Sequence, residues 1–320
     1  MPSKISSKPQ YTIQPLILAP ISLGYNFFRG SGIFSWSIVT IGQWLGKNVR
    51  RQLLVWLRII TPEARNLLEK IEHQAASHPR LKTLNYLKAP TAEIFQQNYS
   101  QTGKPVVITE SVGQEVIEKW SFDILKNTFG KTLMLVRRGQ DYDTLERYQI
   151  SLEQYIDSML KGTQTYYLGN NRLPQEMYKH VPLPSKYVGV NAFTYERAQL
   201  WIGGKATGAH LHRDLCDNFV LVLNGTKTFY LASPDESDFL YTWETRSGLN
   251  SSKFSAVNPN YQKFPLAKQA HFINVTLQPG ELLYIPCGWF HQVVNKEPSC
   301  SINFFGRPLM ATAALNTPHY

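Results

Sequence analysis

After Thr165 the sequence becomes a series of short apolar segments separated by turn residues, and this rhythm limits the fold more than any other feature. Short strands at regular spacing are typical of a β-barrel or a β-sandwich. Asn224-Gly225, which lies between two of the segments, predicts a tight hairpin. The predicted strands are residues 199–202, 210–214, 219–223, 227–232, 281–285, 291–295 and 301–305.

Helical and strand patterns alternate before this region. Residues 92–99 and 121–129 have helical patterns, and Ser121 provides an N-terminal cap for the second one. Residues 105–108 and 132–136 are predicted to be short buried strands. The predicted fold class is therefore mainly β with α, in which helices precede the barrel.

The positive charge of the chain is concentrated in its first 88 residues. Residues 1–88 hold 12 Lys and Arg against 3 Asp and Glu, whereas the remaining residues hold 21 against 20. We therefore predict a basic N-terminal extension at 1–88 and a separate domain at 89–320. Within the extension, apolar residues recur at helical spacing over 44–60, and a second helix is predicted over 62–74.

Three interpretations of this extension remain open. In the first, its amphipathic helices pack on the main domain. In the second, residues 1–62, which contain no acidic residue, make peripheral contact with an anionic membrane surface. The third interpretation is an organellar transit peptide. A nucleic-acid partner is the less favoured explanation of the charge. The uncharged stretch 30–46 is too short and too interrupted by Gly and Ser to span a membrane.

The composition excludes several classes of protein. Apolar residues make up 43% of the chain and charged residues 18%, which provides for a sizeable core and excludes a disordered or collagenous protein. The three cysteines, Cys216, Cys287 and Cys300, follow no disulfide or metal-binding spacing. They indicate a reducing compartment, and we predict a cytoplasmic location.

Two histidines and one aspartate form the strongest candidate for a chemical site. His212 and Asp214 are two residues apart on a predicted strand, so their side chains point to the same face of it. His291 lies on a later predicted strand. Two histidines and one carboxylate are the ligands of non-haem Fe(II) oxygenases, and they leave positions open for O2 and a 2-oxo acid.

Lys227 is the second candidate, because it lies on the strand that follows the Asn224-Gly225 turn. Alternation along this strand places Lys227 and Phe229 on one face. If that face points into a barrel, the lysine is buried and requires an anionic partner. The distal carboxylate of 2-oxoglutarate is such an anion.

Together these motifs resemble the JmjC and cupin-like family of 2-oxoglutarate dioxygenases, which includes the hypoxia-factor asparaginyl hydroxylase. The resemblance implies a double-stranded β-helix, or jelly roll, with its core over residues 195–308, and N-terminal helices. It also implies Fe(II) as the cofactor, with 2-oxoglutarate and O2 as cosubstrates. The matching segments are residues 95–108, 120–125, 167–168, 200–203, 212–214, 217–218, 225–227, 234, 279–280, 284–286, 289–291 and 301–304.

Transferred position by position, the resemblance assigns a role to seven residues. It implies that the iron ligands, and hence the catalytic residues, are His212, Asp214 and His291. It implies that Lys227 and Tyr167 hold the distal carboxylate of 2-oxoglutarate. It implies that Asn303 lines the cosubstrate side of the iron and that Asn218 lies near the site.

One position departs from the family pattern. Ala209 stands where the family usually has Thr or Ser, whose hydroxyl contacts the cosubstrate, and Thr207 is nearby but out of register. Since one hydrogen bond is lost, we expect weaker binding of 2-oxoglutarate or the use of another 2-oxo acid.

A rival interpretation comes from the spacing around His210. His210 and His212 fit the first motif of small-molecule cupins, and His291 fits the second, with Asp217 in place of the usual Glu. The metal ligands are then His210, His212 and His291. In that case the protein is a small-molecule metal cupin enzyme or a non-catalytic cupin binding module. Residues 210, 212 and 214 alternate onto one face, so their spacing leaves both ligand sets open.

The function predicted from the sequence is an Fe(II)- and 2-oxoglutarate-dependent dioxygenase, a hydroxylase of a protein, peptide or small-molecule C–H bond. Trp201, Trp289 and Phe290 are candidates for lining the substrate side. The identity of the substrate and the oligomeric state are left open by the sequence.

Overall fold

The computed structural model describes Gln52 and residues 62–138, 147–163, 166–189, 192–244 and 250–312. Within these ranges the α-helices are α1 (Pro62–Ala76), α2 (Ala92–Phe95), α3 (Gln114–Glu118), α4 (Phe122–Phe129), α5 (Leu152–Leu160), α6 (Ser185–Val188) and α7 (Leu309–Thr312). A π-helix at Gln96–Ser100 follows α2, and 3-10 helices lie at Gln175–His180, Pro234–Asp238 and Pro265–Gln269.

The strands lie mostly in the C-terminal half, as the sequence predicts. They are β1 (Asn85–Lys88), β2 (Val106–Thr109), β3 (Leu133–Arg138), β4 (Arg147–Ser151), β5 (Tyr166–Arg172), β6 (Phe193–Gly203), β7 (Gly208–Arg213), β8 (Asp217–Asn224), β9 (Lys227–Ala232), β10 (Thr242–Glu244), β11 (Asn250–Ser252), β12 (Ile273–Leu277), β13 (Leu282–Ile285), β14 (Phe290–Val294) and β15 (Ser299–Gly306).

Among the described residues these strands form two sheets. The nine-stranded sheet has the order β1-β2-β13-β8-β15-β6-β5-β3-β4, and the six-stranded sheet has the order β10-β11-β7-β14-β9-β12. From β6 to β9, and again from β12 to β15, consecutive strands alternate between the two sheets. This alternation winds the chain into a double-stranded β-helix, so the predicted jelly-roll fold is confirmed.

The apolar core has an interior part between the sheets and two outer parts. The interior cluster includes Val220 and Phe229, one from each sheet. A larger cluster, which includes Phe95 and Tyr155, covers the outer face of the nine-stranded sheet under the helices. A smaller one, which includes Leu211, covers the outer face of the six-stranded sheet. The interior of the barrel is thus separated from solvent on both sides.

The predicted turn at Asn224-Gly225 joins β8 to β9, but the prediction of a hairpin is wrong. The two strands do not pair with each other: β8 pairs with β13 and β15, whereas β9 pairs with β12 and β14, because the chain crosses from one sheet to the other at this turn. Gly225 has a φ of +61°, which favours glycine, and a Cβ at this position would collide with the carbonyl oxygen of Pro298. β9 has the predicted bounds. Ser121 caps α4 as predicted, because its side chain accepts a hydrogen bond from the backbone N–H of Ile124.

The part of the basic extension that the structure describes packs on the barrel. α1 covers the predicted helix and continues to Ala76, and it buries Leu68 and Ile71. β1 extends the nine-stranded sheet by parallel pairing with β2. The helix predicted over 44–60 lies, except for Gln52, outside the described residues, as does nearly all of the predicted membrane-contact segment. No helix within the described ranges is long and apolar enough to cross a membrane.

Candidate metal centre and cosubstrate pocket

His212 and His291 face each other on neighbouring strands of the six-stranded sheet. The two residues are direct register partners on β7 and β14, and their ring centroids are 4.2 Å apart. Asp214 follows β7, and its carboxylate Oδ2 is 3.7 Å from Nε2 of His291. The potential ligand atoms of these three residues all lie within 4.8 Å of one another. Within the described residues they form the one such cluster of His, Cys, Asp and Glu side chains.

Backbone carbonyl groups hold both histidine rings in one orientation. Nδ1 of His212 is 2.7 Å from the carbonyl oxygen of His210, and Nδ1 of His291 is 3.1 Å from that of Trp289. Because a carbonyl oxygen can only accept, each Nδ1 carries the proton and donates, which leaves a lone pair on each Nε2. Burial lowers the pKa of His212 well below its ordinary value, and the neighbouring histidines add to this effect. A neutral imidazole is the form that binds a metal ion.

Asp214 is positioned by the turn that precedes β14. The carbonyl oxygen of Asp214 accepts a 2.9 Å hydrogen bond from the backbone N–H of Gly288. Burial raises the pKa of the Asp214 carboxyl, whereas His291 acts in the opposite direction. A nearby cation would favour the ionised carboxylate, so the three side chains match the donor set of a divalent transition metal.

His210 lies beside this cluster but is not part of it. Its Nε2 is 3.0 Å from Oγ of Ser251 on β11, and its ring centroid is 5.5 Å from that of His212. The pairing of β7 with β14 is irregular here, because β7 carries one extra residue between Ala209 and His212. The structure therefore brings together the ligand set that includes Asp214, and it gives His210 a different hydrogen-bonding partner.

Lys227 points into the barrel, at the start of β9. Its side chain is 2% exposed, and its Nζ donates a hydrogen bond of 3.4 Å to the hydroxyl of Tyr167. Burial lowers the pKa of Lys227 to about 7, while the nearby Cys300 thiol acts in the opposite direction. A buried ammonium group with one long hydrogen bond to the described residues is a strong site for an anion.

Tyr167, not the adjacent Tyr166, contacts Lys227. Tyr167 is directly opposite Gly203 in the pairing of β5 with β6. A Cβ at Gly203 would collide with the ring of Tyr167, and a Cβ at Gly169 would approach the same ring. These two glycines therefore provide the space in which the ring lies beside Lys227.

The two predicted asparagines lie on the nine-stranded sheet, which forms the wall opposite the metal cluster. Asn218 pairs with Ile285 and Asn303 pairs with Val220. Because Ile285 and Val220 belong to the interior cluster, the two asparagines face the interior as well. Asn218 is buried, and its Oδ1 makes no hydrogen bond to the described residues.

The aromatic residues predicted for the substrate side have different environments. The ring centroid of Trp201 is 5.6 Å from that of Tyr167, so Trp201 adjoins the predicted cosubstrate residues. Trp289 packs in the interior cluster and donates from Nε1 to the carbonyl oxygen of Gly103. Phe290 packs in the outer cluster of the six-stranded sheet.

Two buried arginines beside the site were missed at the sequence level. Arg213, which lies between His212 and Asp214 in the chain, is fully buried; its Nη1 is 2.9 Å from Oε1 of Glu72 on α1. The guanidinium of Arg137 on β3 lies 5.2 Å from the ring centroid of Tyr167. Alternation could have placed Arg213 on the face opposite His212, but no local pattern indicates a partner 141 residues away.

A jelly roll that brings two histidines and one aspartate together in its interior is a fold of the cupin class with a candidate site for a divalent metal ion. The chain belongs to the family of the cupin-like domain, whose model matches residues 91–310. The resemblance found in the sequence is thereby confirmed.

Several curated proteins are similar to this chain. Lysine-specific demethylase 8 of Danio rerio is 27% identical over 252 residues, which cover 74% of this chain and 62% of the relative. The bifunctional peptidase and (3S)-lysyl hydroxylase JMJD7 of Homo sapiens is 24% identical, with coverage of 68% and 82%. tRNA wybutosine-synthesizing protein 5 of Homo sapiens is 24% identical, with coverage of 73% and 81%.

The match to the demethylases is partial. The chain spans only 62% of the length of the Danio rerio demethylase and 52% of that of Xenopus tropicalis. The three relatives carry names that describe different reactions, on lysine residues or in tRNA. The family therefore constrains the chemistry of the site more closely than the identity of the substrate.

Proposed function

We propose that the protein is an Fe(II)- and 2-oxoglutarate-dependent oxygenase that hydroxylates a C–H bond of its substrate. The observation that carries the proposal is the buried Lys227, which faces the same barrel interior as the cluster of His212, Asp214 and His291. A small-molecule metal cupin has no need of a buried cation in this position. A keto acid with a second carboxylate does, because its distal end must be neutralised.

In this proposal each side chain has a separate task. His212 and His291 bind Fe(II) through Nε2, and Asp214 binds it through a carboxylate oxygen. Lys227 and Tyr167 hold the distal carboxylate of 2-oxoglutarate, and Asn218 and Asn303 provide polar groups along the wall between the two ends. When bound, Fe(II) supplies the activation of O2 that couples decarboxylation of the keto acid to oxidation of the substrate. The protein contributes orientation and the exclusion of water.

The substrate classes that we propose are a protein side chain, a peptide or a small molecule. The relatives named for lysine demethylation and lysyl hydroxylation support a protein or peptide substrate. The relative named for wybutosine synthesis supports tRNA as the alternative. The basic residues of 1–62 suit either tRNA or an anionic membrane, and we propose a cytoplasmic enzyme with peripheral membrane contact through this segment.

The proposed function is tested by succinate formation. The full-length protein, reconstituted anaerobically with Fe(II), is given 2-oxoglutarate and O2, and succinate is quantified by mass spectrometry. We expect slow succinate formation that increases when the correct substrate class is added, either a lysine-containing peptide or bulk tRNA. If no succinate forms with any substrate class although the metal is bound, the protein is a non-catalytic cupin or a cupin enzyme of another type.

We expect Lys227→Met to raise the concentration of 2-oxoglutarate that half-saturates succinate formation by at least about 100-fold. Removing one partner of a buried ion pair typically costs about 3–5 kcal/mol, which is more than enough for this change. Fe(II) binding should be unchanged. Lys205→Met is the matched control, because Lys205 is exposed and should leave the requirement unaltered. An unaltered requirement in Lys227→Met would contradict the proposed carboxylate site.

Binding of 2-oxoglutarate should become weaker as the pH rises above neutrality. The pKa of Lys227 is about 7 because of burial, so the side chain loses its proton above this pH when no anion is bound. A bound carboxylate raises that pKa, and binding must then take up a proton, which weakens the affinity by up to about tenfold per pH unit. Calorimetry in two buffers of different ionisation enthalpy measures the uptake. Uptake that persists in Lys227→Met would assign the proton to another group.

A further inference from the structure

The hydroxyl that is missing at Ala209 is not supplied by Thr207, which lies just before β7. Thr207 donates from Oγ1 to the carbonyl oxygen of Gly204 at 2.7 Å and accepts from Nδ2 of Asn295 at 2.9 Å. Asn295 in turn accepts from the hydroxyl of Ser299. Thr207 is therefore committed to the turn before β7, and any replacement for the absent contact must come from another strand.

Two buried donors on the opposite sheet make no hydrogen bond to the described residues. They are the hydroxyl of Ser301 on β15 and Nε1 of Trp201 on β6. The exposed fraction is 0% for Ser301 and 8% for Trp201. A buried polar group without a partner costs about 1–3 kcal/mol, so two in adjacent positions point to a ligand that satisfies them.

The register places both donors on the interior face of the sheet. Ser301 is the direct partner of Trp201 on one side and of Val222 on the other, and Val222 belongs to the interior cluster. Side chains of direct partners on neighbouring strands project to the same face, so Ser301 and Trp201 point into the barrel with Val222.

The same two donors lie at the lysine end of the interior. Val222 lies near the end of β8 and Lys227 begins β9, so both lie close to the turn at Gly225 that joins the two sheets, and Ser301 pairs with Val222. Trp201 also adjoins Tyr167, whose hydroxyl accepts from Lys227. Asn303 and then Asn218 lie progressively further from Ser301 along β15 and β8, toward the start of β8, which follows Asp214 in the chain.

We propose that Ser301 and Trp201 donate hydrogen bonds to the distal carboxylate of the keto acid and take over the contact that Ala209 cannot make. This inference rests on the proposed function. It makes Ser301 and Trp201 determinants of specificity, because only a dicarboxylic keto acid long enough to reach from the metal to Lys227 satisfies them. A short monocarboxylic keto acid such as pyruvate leaves both donors without a partner.

The test is calorimetric titration of N-oxalylglycine, a dicarboxylate analogue of 2-oxoglutarate, into full-length protein loaded with Mn(II). Hydrogen bonds to charged groups are the strong ones, so Ser301→Ala should weaken binding by about 10–100-fold while Mn(II) affinity stays unchanged. Trp201→Phe, which removes the N–H donor and keeps one aromatic ring, should give a similar loss. Pyruvate, titrated in parallel, should bind the wild type and both variants equally.

Ser100→Ala serves as the matched control, since Ser100 is a buried serine in the π-helix whose hydroxyl donates to the carbonyl oxygen of Gln96. It should leave the N-oxalylglycine affinity unaltered. Unaltered affinity in both Ser301→Ala and Trp201→Phe, with the wild type binding tightly, overturns this inference and leaves the proposed function standing. Failure of the wild type itself to bind N-oxalylglycine overturns the proposed function instead.

Discussion

Replacing His291 with alanine should leave the protein unable to retain one Fe(II) per chain after anaerobic reconstitution and desalting. The change removes one of the three clustered ligands, and His212 and Asp214 alone hold a metal ion weakly. Loss of an outer partner of a ligand already costs about 10–100-fold in metal affinity, so loss of the ligand itself should cost more. Iron per chain, measured by atomic emission, gives the result. Iron content at the wild-type level would contradict the assignment.

The neighbouring residues of β7 provide the control for this experiment. His210→Ala also removes a histidine beside the cluster, but its Nε2 is bonded to Ser251, so we expect the iron content to be kept. Asp214→Ala should lose the metal. The reverse pattern, with metal lost in His210→Ala and kept in Asp214→Ala, would assign the ligand set of small-molecule cupins.

The second large effect is expected at Glu72. Glu72→Ala should lower the free energy of unfolding by about 3–5 kcal/mol, because it leaves the charge of Arg213 buried beside the ring of Phe290 without the carboxylate that accompanies it. Guanidinium denaturation of the full-length protein, followed by tryptophan fluorescence, measures the change. A loss below about 1 kcal/mol would show that this ion pair behaves as a solvated surface pair.

Two further variants test whether the loss of stability in Glu72→Ala comes from the burial of the ion pair. Glu69→Ala on the same helix breaks the partly exposed pair with Arg65, and it should change stability by less than about 1 kcal/mol. The double variant with Glu72→Leu and Arg213→Met should recover most of the stability, since well-packed apolar residues replace buried ion pairs at little cost. A double variant as unstable as Glu72→Ala would indicate that packing, not charge, dominates.

The turn at Asn224-Gly225 and the position of Lys227 could be predicted because their signals are local, whereas the pairing of the strands on either side of the turn could not. The Asn224-Gly225 turn fixes where β9 begins, and the period of two then determines which side chains face inward. The same period placed His212 and Asp214 on one face. Each of these predictions depends on residues within a few positions of one another, and the structure agrees with the predicted strand bounds to within a few residues.

Elements that depend on distant partners could not be predicted. β11 is short and polar, with no alternation of apolar residues, and it becomes a strand because it pairs with β7 and β10. β12 does alternate, but its signal lies after a long irregular segment. The helix predicted over 92–99 changes to a π-helix at Gln96, which no helical pattern in the sequence indicates.

In the site, the sequence could name the side chains but not their partners. The carbonyl bonds to the Nδ1 atoms of His212 and His291, and the extra residue in β7, follow from how the strands pair. The hydrogen bond between Thr207 and Asn295 likewise joins the segment just before β7 to the segment just after β14. Burial of Arg213 requires α1, which lies outside the residues matched by the family model.

The order of strands in the nine-stranded sheet has a consequence for how the protein is made. β2, near the start of the described chain, is hydrogen-bonded to β13, and Glu72 is paired with an arginine 141 residues later. During synthesis, α1 and β2 leave the ribosome long before these partners exist, and contacts between distant segments form slowly. The two histidines of the cluster come together only after β14 has emerged. The three side chains of the candidate metal centre are therefore brought together only late, after most of the described residues have been synthesised.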